Sequence, residues 1–205
     1  MKVVAVVGSY RTGGVVDRVV DEILASARGQ GAETPKVFLM DRHIEFCRNC
    51  RQCTQDPGPA RGTCPCDDDM AAILDELESA DALVLASPMN FGTVTAVMKR
   101  FIERLTVYAW WPWGRWSPKA RNPRKTKAAV IVVSSAAPAL LVRLRTNIAG
   151  LLKTAAYLLG ARTVGVIAVG LAARERHQRL SRGTMEKARL MGRKLVAGSG
   201  PGREG

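Results

Sequence analysis

Four near-continuous apolar runs, rich in β-branched residues, constrain this chain more than any other feature. They are residues 3–7 (VVAVV), 82–86 (ALVLA), 128–133 (AAVIVV) and 164–169 (VGVIAV). A run with no polar face is the pattern of a parallel strand covered on both sides. Residues 36–40 (KVFLM) form a weaker fifth strand candidate. Helical periodicity fills the intervals, over 16–28, 68–79, 94–107, 139–159 and 182–196. Asp67, Asp68 and Asp69 at the head of the second helix are good capping residues and suit the positive end of a helix dipole. Strand–helix alternation of this kind implies a doubly wound α/β fold. A length of 205 residues suits one sizeable core and one domain.

Two inserts interrupt the alternation. The first, 43–67, holds all five cysteines of the chain: Cys47, Cys50 and Cys53 in a C-x2-C-x2-C run, then Cys64 and Cys66. Thiols scattered through a core act as small hydrophobes, but five confined to one loop-like segment need another explanation. Soft thiolates at this spacing can surround an iron–sulfur cluster, because two intervening residues let the backbone fold round it. Zinc, or free redox thiols, are the other readings of the same residues. The second insert, 108–126, holds all four tryptophans, and its prolines and glycine forbid a regular helix. Trp110, Trp111, Trp113 and Trp116 can stack on a cofactor, pack on another subunit or cover the chain's own core.

No apolar run is long enough to span a bilayer, and the apolar start is too short for a signal peptide, so a cytoplasmic, reducing location is expected. There a cysteine cluster is metal-binding or redox-active rather than a disulfide framework. The net charge of +13 favours anionic ligands or an acidic protein partner. No helix-turn-helix, RNA-recognition or zinc-finger pattern accompanies it, so no specific nucleic-acid binding is expected. His43 and His177, the only histidines, stand beside no nucleophile motif, and a hydrolytic triad is not supported.

Ligands of open α/β sheets bind beyond the carboxyl ends of the strands. After the first strand comes GSYRTGG, residues 8–14. It has neither the spacing of a dinucleotide fingerprint nor the lysine of a P-loop. Its small residues, the hydroxyls of Ser9 and Thr12, the charge of Arg11 and the following helix N-terminus still suit a phosphate. After the third strand comes SPMNFGT, residues 87–93, and after the fourth SSAAP, residues 134–138. These segments would share one rim.

These segments resemble a known group. GSYRTGG is similar to the GSxRxxG phosphate loop of the flavodoxin-like, NADPH-dependent FMN reductase family. SPMNFGTVTAVMKRFIER resembles that family's SPxYxGxxxxxMKxxIDR segment, which cradles the flavin ring. The cysteine run followed by Asp68-Asp69-Met70 resembles the family's iron–sulfur flavoprotein branch, in which a compact cysteine motif binds a [4Fe–4S] cluster beside FMN. The resemblance implies a three-layer sandwich with a five-stranded parallel sheet of order 2-1-3-4-5. It places Ser9, Arg11, Thr12, Gly13 and Gly14 on the FMN phosphate, and Pro88, Met89, Asn90, Phe91, Gly92 and Thr93 along the flavin, with Ser135 and Ala136 completing the rim. Asn90 stands where the family often has tyrosine, and Val15-Val16 where it often has Asn-Thr. Cys47, Cys50, Cys53 and Cys64 match the cluster ligands, leaving Cys66 as an extra thiol.

The expectation is thus a single FMN-binding domain over 1–196 with a flexible tail, 197–205. Its function would be electron transfer between a donor, NAD(P)H or a ferredoxin-like protein, and an acceptor, through the cluster. The partner would be that redox protein or a small-molecule acceptor, and the assembly a homodimer or homotetramer. A cluster-free NAD(P)H:FMN or quinone reductase, and a basic zinc- or nucleic-acid-binding module, are the alternatives.

Overall fold

A computed structural model describes residues 1–122, 124–141, 146–173, 175 and 178–198. His177 and, from residue 199 onward, the expected tail lie outside the described residues, as do residues 142–145 of the helix expected over 139–159.

Each apolar run forms a strand. β1 spans Val3–Val7 and is followed by α1, Val15–Arg28, β2, Lys36–Phe38, and α2, Met70–Glu78. Then come β3, Ala82–Asn90, β4, Thr93–Val94, and α3, Ala96–Arg104. The Trp-rich insert contributes β5, Ala109–Trp110, and β6, Lys119–Ala120. β7, Lys127–Ser134, α4, Ile148–Leu158, β8, Ala161–Val169, and α5, Arg182–Ala197, complete the described elements.

The sheet order is β2-β1-β3-β7-β8, all neighbours parallel. This is the expected 2-1-3-4-5 order. Side chains of a strand alternate between faces, and the core divides accordingly. Val3, Ala5 and Val7 face α1 and α5 with Val19, Ile23 and Leu195. Val4, Val6, Leu83 and Leu85 face α2, α3 and α4 with Leu74, Phe101 and Leu152. The cysteine segment lies on this second side, where Ile44 and Cys53 join the core.

Three local expectations need correction. β2 stops at Phe38, where a 3-10 turn begins at Leu39. Residues 87–90 are not loop. β3 continues through them because Ser87 and Pro88 pair with Val133 and Ser134 of β7, and Met89 and Asn90 pair back with β4. Phe91 (φ 47°) and Gly92 (φ 78°) make the connection, the two left-handed residues of a tight hairpin turn. Glycine takes that conformation freely, whereas phenylalanine is strained in it. Phe91 is also fully exposed. Finally, α2 starts at Met70, and the Asp69 side chain makes no cap bond. The expected cap comes from Asp68 instead, whose carboxylate accepts from the Met70 N–H, and Asp68 and Asp69 have further partners described below.

Candidate functional site

The carboxyl ends of β1, β3, β7 and β8 open onto one cavity of about 280 Å³. Ser9, Arg11, Gly14, Pro88, Met89, Asn90, Ser135 and Ala136 line it, as do Tyr10, Val15, Val16, Ser134, Ala172 and Ala173. Thr12, Gly13, Phe91, Gly92 and Thr93 are not in its lining. Ala172 and Ala173 follow β8, and the rule that ligands sit beyond strand ends would have pointed to them. A larger cavity, about 410 Å³, lies between β7, β8 and the start of α4 around Asn147 and Lys153. The site is assigned to the smaller one because the motif-bearing segments converge there.

Hydrogen bonds hold these segments in register. Thr95, the N-cap of α3, accepts from the Met98 N–H and donates to the Gly8 carbonyl at 2.5 Å, while its own N–H donates to Ser87 Oγ. Tyr10 reaches the same helix end, its hydroxyl accepting from the Ala96 N–H. On the far side the Ala172 N–H donates to the Ser135 carbonyl, and the Ser135 N–H to Val169.

The phosphate-type loop also has internal bonds. The Ser9 hydroxyl accepts from the Arg11 N–H, and the Gly14 N–H donates to the Arg11 carbonyl. The Gly13 N–H donates to the buried Asp17 carboxylate at 2.7 Å, and Asp17 is paired with Lys36 at 2.9 Å. This takes Gly13 out of the cavity wall. The N-terminus of α1, capped by Gly14 without a side-chain bond, leaves helix N–H groups at the rim, which suits an anion.

In the other insert the five cysteines are all free thiols. Cys53 is buried at the core edge and pushed up to about 11, by burial first and then by the neighbouring Cys64, Cys47 and Cys50. Burial and the adjacent Cys64 raise Cys66, with Arg104 and Arg48 opposing. Among the described residues, no three His, Cys, Asp or Glu side chains are drawn together at metal-binding distance. The donor set is soft sulfur, and the one imidazole among the described residues, His43, is exposed and pairs with Glu45.

The tryptophan insert packs on the cysteine segment, a fourth arrangement beside the three the sequence allows. The Trp111 N–H donates to the Thr54 carbonyl, Trp110 Nε1 to Gln55, and Arg121 to Cys53 and Gly58. Arg51, between Cys50 and Cys53, lies against both Trp111 and Trp113, 3.9 and 4.2 Å from their ring centres. It also donates to the Trp111 and Pro112 carbonyls. Cation–π contact and charge-assisted bonds act together there, and they hold Arg51 at a left-handed φ of 60°. Trp116 is exposed.

The two regions meet along α3, about 13 Å long at 1.5 Å per residue. Its first turn holds the rim through Thr95, and its last residue, Arg104, binds the end of the cysteine segment. Arg104 Nη1 donates to Asp68 Oδ2 and to the Glu45 carbonyl, and Nη2 to Asp68 Oδ1. Asp68 also accepts from the Glu45 and Met70 N–H groups, and Asp69 from that of His43. The aspartates thus close the insert on itself. Burial alone would raise the Asp68 carboxyl, but Arg104 and the two backbone donors outweigh it and hold it below the usual carboxylate value.

A family model for NADPH-dependent FMN reductases matches residues 1–175. An iron–sulfur flavoprotein of Archaeoglobus fulgidus is 36% identical over 108 residues, 53% of this chain and 47% of that protein. The chain spans about half the length of the curated relatives it matches. Among solved structures, the NAD(P)H:quinone oxidoreductase from Methanothermobacter marburgensis superposes with a TM-score of 0.67 at 19% identity, covering 95% of this chain and 98% of that one. An archaeal flavodoxin superposes with a TM-score of 0.57 at 12% identity, covering 97% and 99%. At those identities the structural likeness is one of fold, flavodoxin-like. The match over residues 1–175 makes the chain a member of the NADPH-dependent FMN reductase family.

Proposed function

We propose that the chain binds FMN in the rim cavity and works as a flavin-dependent oxidoreductase, with a [4Fe–4S] cluster on Cys47, Cys50, Cys53 and Cys64. The observation that carries this is the convergence of the Ser9, Pro88 and Ser135 segments on one cavity, tied through α3 to the cysteine segment. When bound, FMN exchanges one or two electrons and a cluster exchanges one at a time, so together they can split a two-electron donor into single steps. Ser9, Arg11 and the α1 N-terminus would hold the phosphate. The hairpin of Met89 and Asn90, with Ser135 and Ala136 opposite, would bound the ring and limit water around it. Thr12, Gly13, Phe91, Gly92 and Thr93, outside the lining, would act by shaping the loops that carry these residues.

The four cysteine sulfurs fit a cluster by chemistry, being soft donors with no hard ligand in place. The charge of +13 suits NAD(P)H or an acidic ferredoxin-like protein as electron donor. A homodimer or homotetramer in the cytoplasm is the proposed setting; among the described residues no helix is long and apolar enough to cross a membrane.

One observation favours a second reading, a cluster-free NAD(P)H:FMN or quinone reductase: among the described residues no three His, Cys, Asp or Glu side chains are drawn together at metal-binding distance. Metal analysis of protein purified without air separates the two. Iron with acid-labile sulfide supports the first reading, and a yellow, iron-free protein supports the second.

A further inference from the structure

Asp17 is a carboxylate buried where the rim is otherwise fitted for an anion. Its side chain is 2% exposed, in the first turn of α1 just after Val15 and Val16 of the cavity wall. A helix N-terminus favours a carboxylate in that turn, but a carboxylate and a phosphate at one helix end repel each other. Two contacts bear on this conflict. Asp17 Oδ2 accepts from the Gly13 N–H at 2.7 Å. Asp17 Oδ1 takes the Lys36 ammonium at 2.9 Å, and the same ammonium reaches Asp21 at 2.6 Å. Lys36 opens β2, and neither it nor Asp17 lines the cavity. Burial lowers the Lys36 ammonium, but its bonds to Asp21 and then Asp17 more than restore it, so it stays charged.

The Gly13 bond bears on the shape of the loop. Gly13 has a left-handed φ of 70°, and Gly14 follows it as the α1 cap with no side-chain bond. Paired glycines enter such a turn freely and leave it as freely. Asp17, at the third helical position, reaches back to the residue before the cap, much as the acidic member of a capping box does. Arg11 and Gly14, on either side of Gly13, both line the cavity. The turn that Asp17 holds therefore sets where they stand.

We propose that Asp17 is a positioning residue for the phosphate end of the rim cavity, and that Lys36 offsets its charge so that a phosphate ester is accepted beside it. This rests on the reading of the cavity as an FMN site. The pair makes the site prefer a flavin that carries a phosphate over riboflavin, which has none. Its two contributions are separable. Asparagine keeps an acceptor for the Gly13 N–H without the charge, alanine loses both, and Lys36→Met leaves the buried carboxylate with less compensation.

The test titrates the full chain, stripped of flavin, with FMN and with riboflavin, read by flavin fluorescence quenching. Thermal unfolding checks that each variant is folded. Asp17→Ala should weaken FMN about fivefold to tenfold through the loosened loop. Lys36→Met should weaken it about tenfold through charge. Riboflavin affinity should be unchanged in both. Asp17→Asn should bind FMN at least as tightly as wild type. The double variant Asp17→Asn/Lys36→Met should recover what Lys36→Met loses, and Asp17→Ala against Asp17→Asn carries the test should Lys36→Met misfold. Unchanged FMN affinity in folded Asp17→Ala and Lys36→Met overturns the proposal. So does equal weakening of FMN and riboflavin in Asp17→Ala, the pattern of a merely structural residue, or a loss in Asp17→Asn as large as in Asp17→Ala. A wild-type chain that binds both flavins equally overturns the proposal and leaves a flavin site standing. A wild-type chain that binds neither overturns the FMN reading, and the proposal with it.

Discussion

Arg104, the last residue of α3, and Asp68, just ahead of α2, form a forked ion pair with side chains 2% and 1% exposed. The pair joins the helix that leads from the rim cavity to the segment that carries the thiols. Removing one partner leaves a buried charge without compensation. Arg104→Met is therefore expected to cost about 3–5 kcal/mol, read as a lowered midpoint in urea unfolding. A loss below about 1 kcal/mol would mean that the pair is hydrated in solution.

The same pair sets an acid limb. The folded Asp68 carboxyl sits below its ordinary value, so its contribution is full above the ordinary carboxylate pKa, about 4. It is lost as pH falls through the folded value. Unfolding of wild type and Asp68→Asn at pH 7 and pH 3 should show a stability gap that narrows at the lower pH. A constant gap would assign the acid limb to other carboxylates.

Gly62 is a second weak point. A Cβ there would stand 1.8 Å from the Cys53 carbonyl oxygen, while the Gly62 N–H donates to Val107. The backbone cannot accept even alanine without moving the Cys53 turn. Gly62→Ala should destabilise by about 2–3 kcal/mol and lower iron uptake, while FMN binding at the distant rim persists. Wild-type iron content and melting temperature in this variant would contradict the packing described.

Much of the fold was legible in the sequence because β-branched runs such as 3–7 and 128–133 have no polar face and so fit only a sheet covered on both sides. The strand order followed from family resemblance rather than from the runs themselves. Residues 87–90 read as loop because proline and asparagine are poor strand formers, yet pairing with β7 and β4 overrode that preference. Ala172 and Ala173 gave no compositional signal, since they reach the cavity through the Ser135 carbonyl. Asp68 was legible as a helix cap, and it accepts from the Met70 N–H, but its long-range partner, Arg104, is visible only once α2 and α3 are packed. The tryptophans' partner was equally hidden: Arg51 and Trp111 are distant in sequence, and only the fold brings them together.

At the rim, Arg11→Ala should weaken FMN binding about tenfold or more, the equivalent of about 1.4 kcal/mol, and leave riboflavin binding unchanged. The difference isolates the phosphate, and flavin fluorescence quenching measures both affinities. Equal weakening of FMN and riboflavin would place Arg11 against the ring instead.

Purification without air, followed by a visible spectrum with flavin and iron quantification, tests the central claim most directly. The prediction is about one FMN and about four irons per chain, with flavin bands above a broad brown absorbance. A yellow, iron-free protein would contradict the cluster, and a colourless protein that takes up neither FMN nor iron on reconstitution would contradict the whole account.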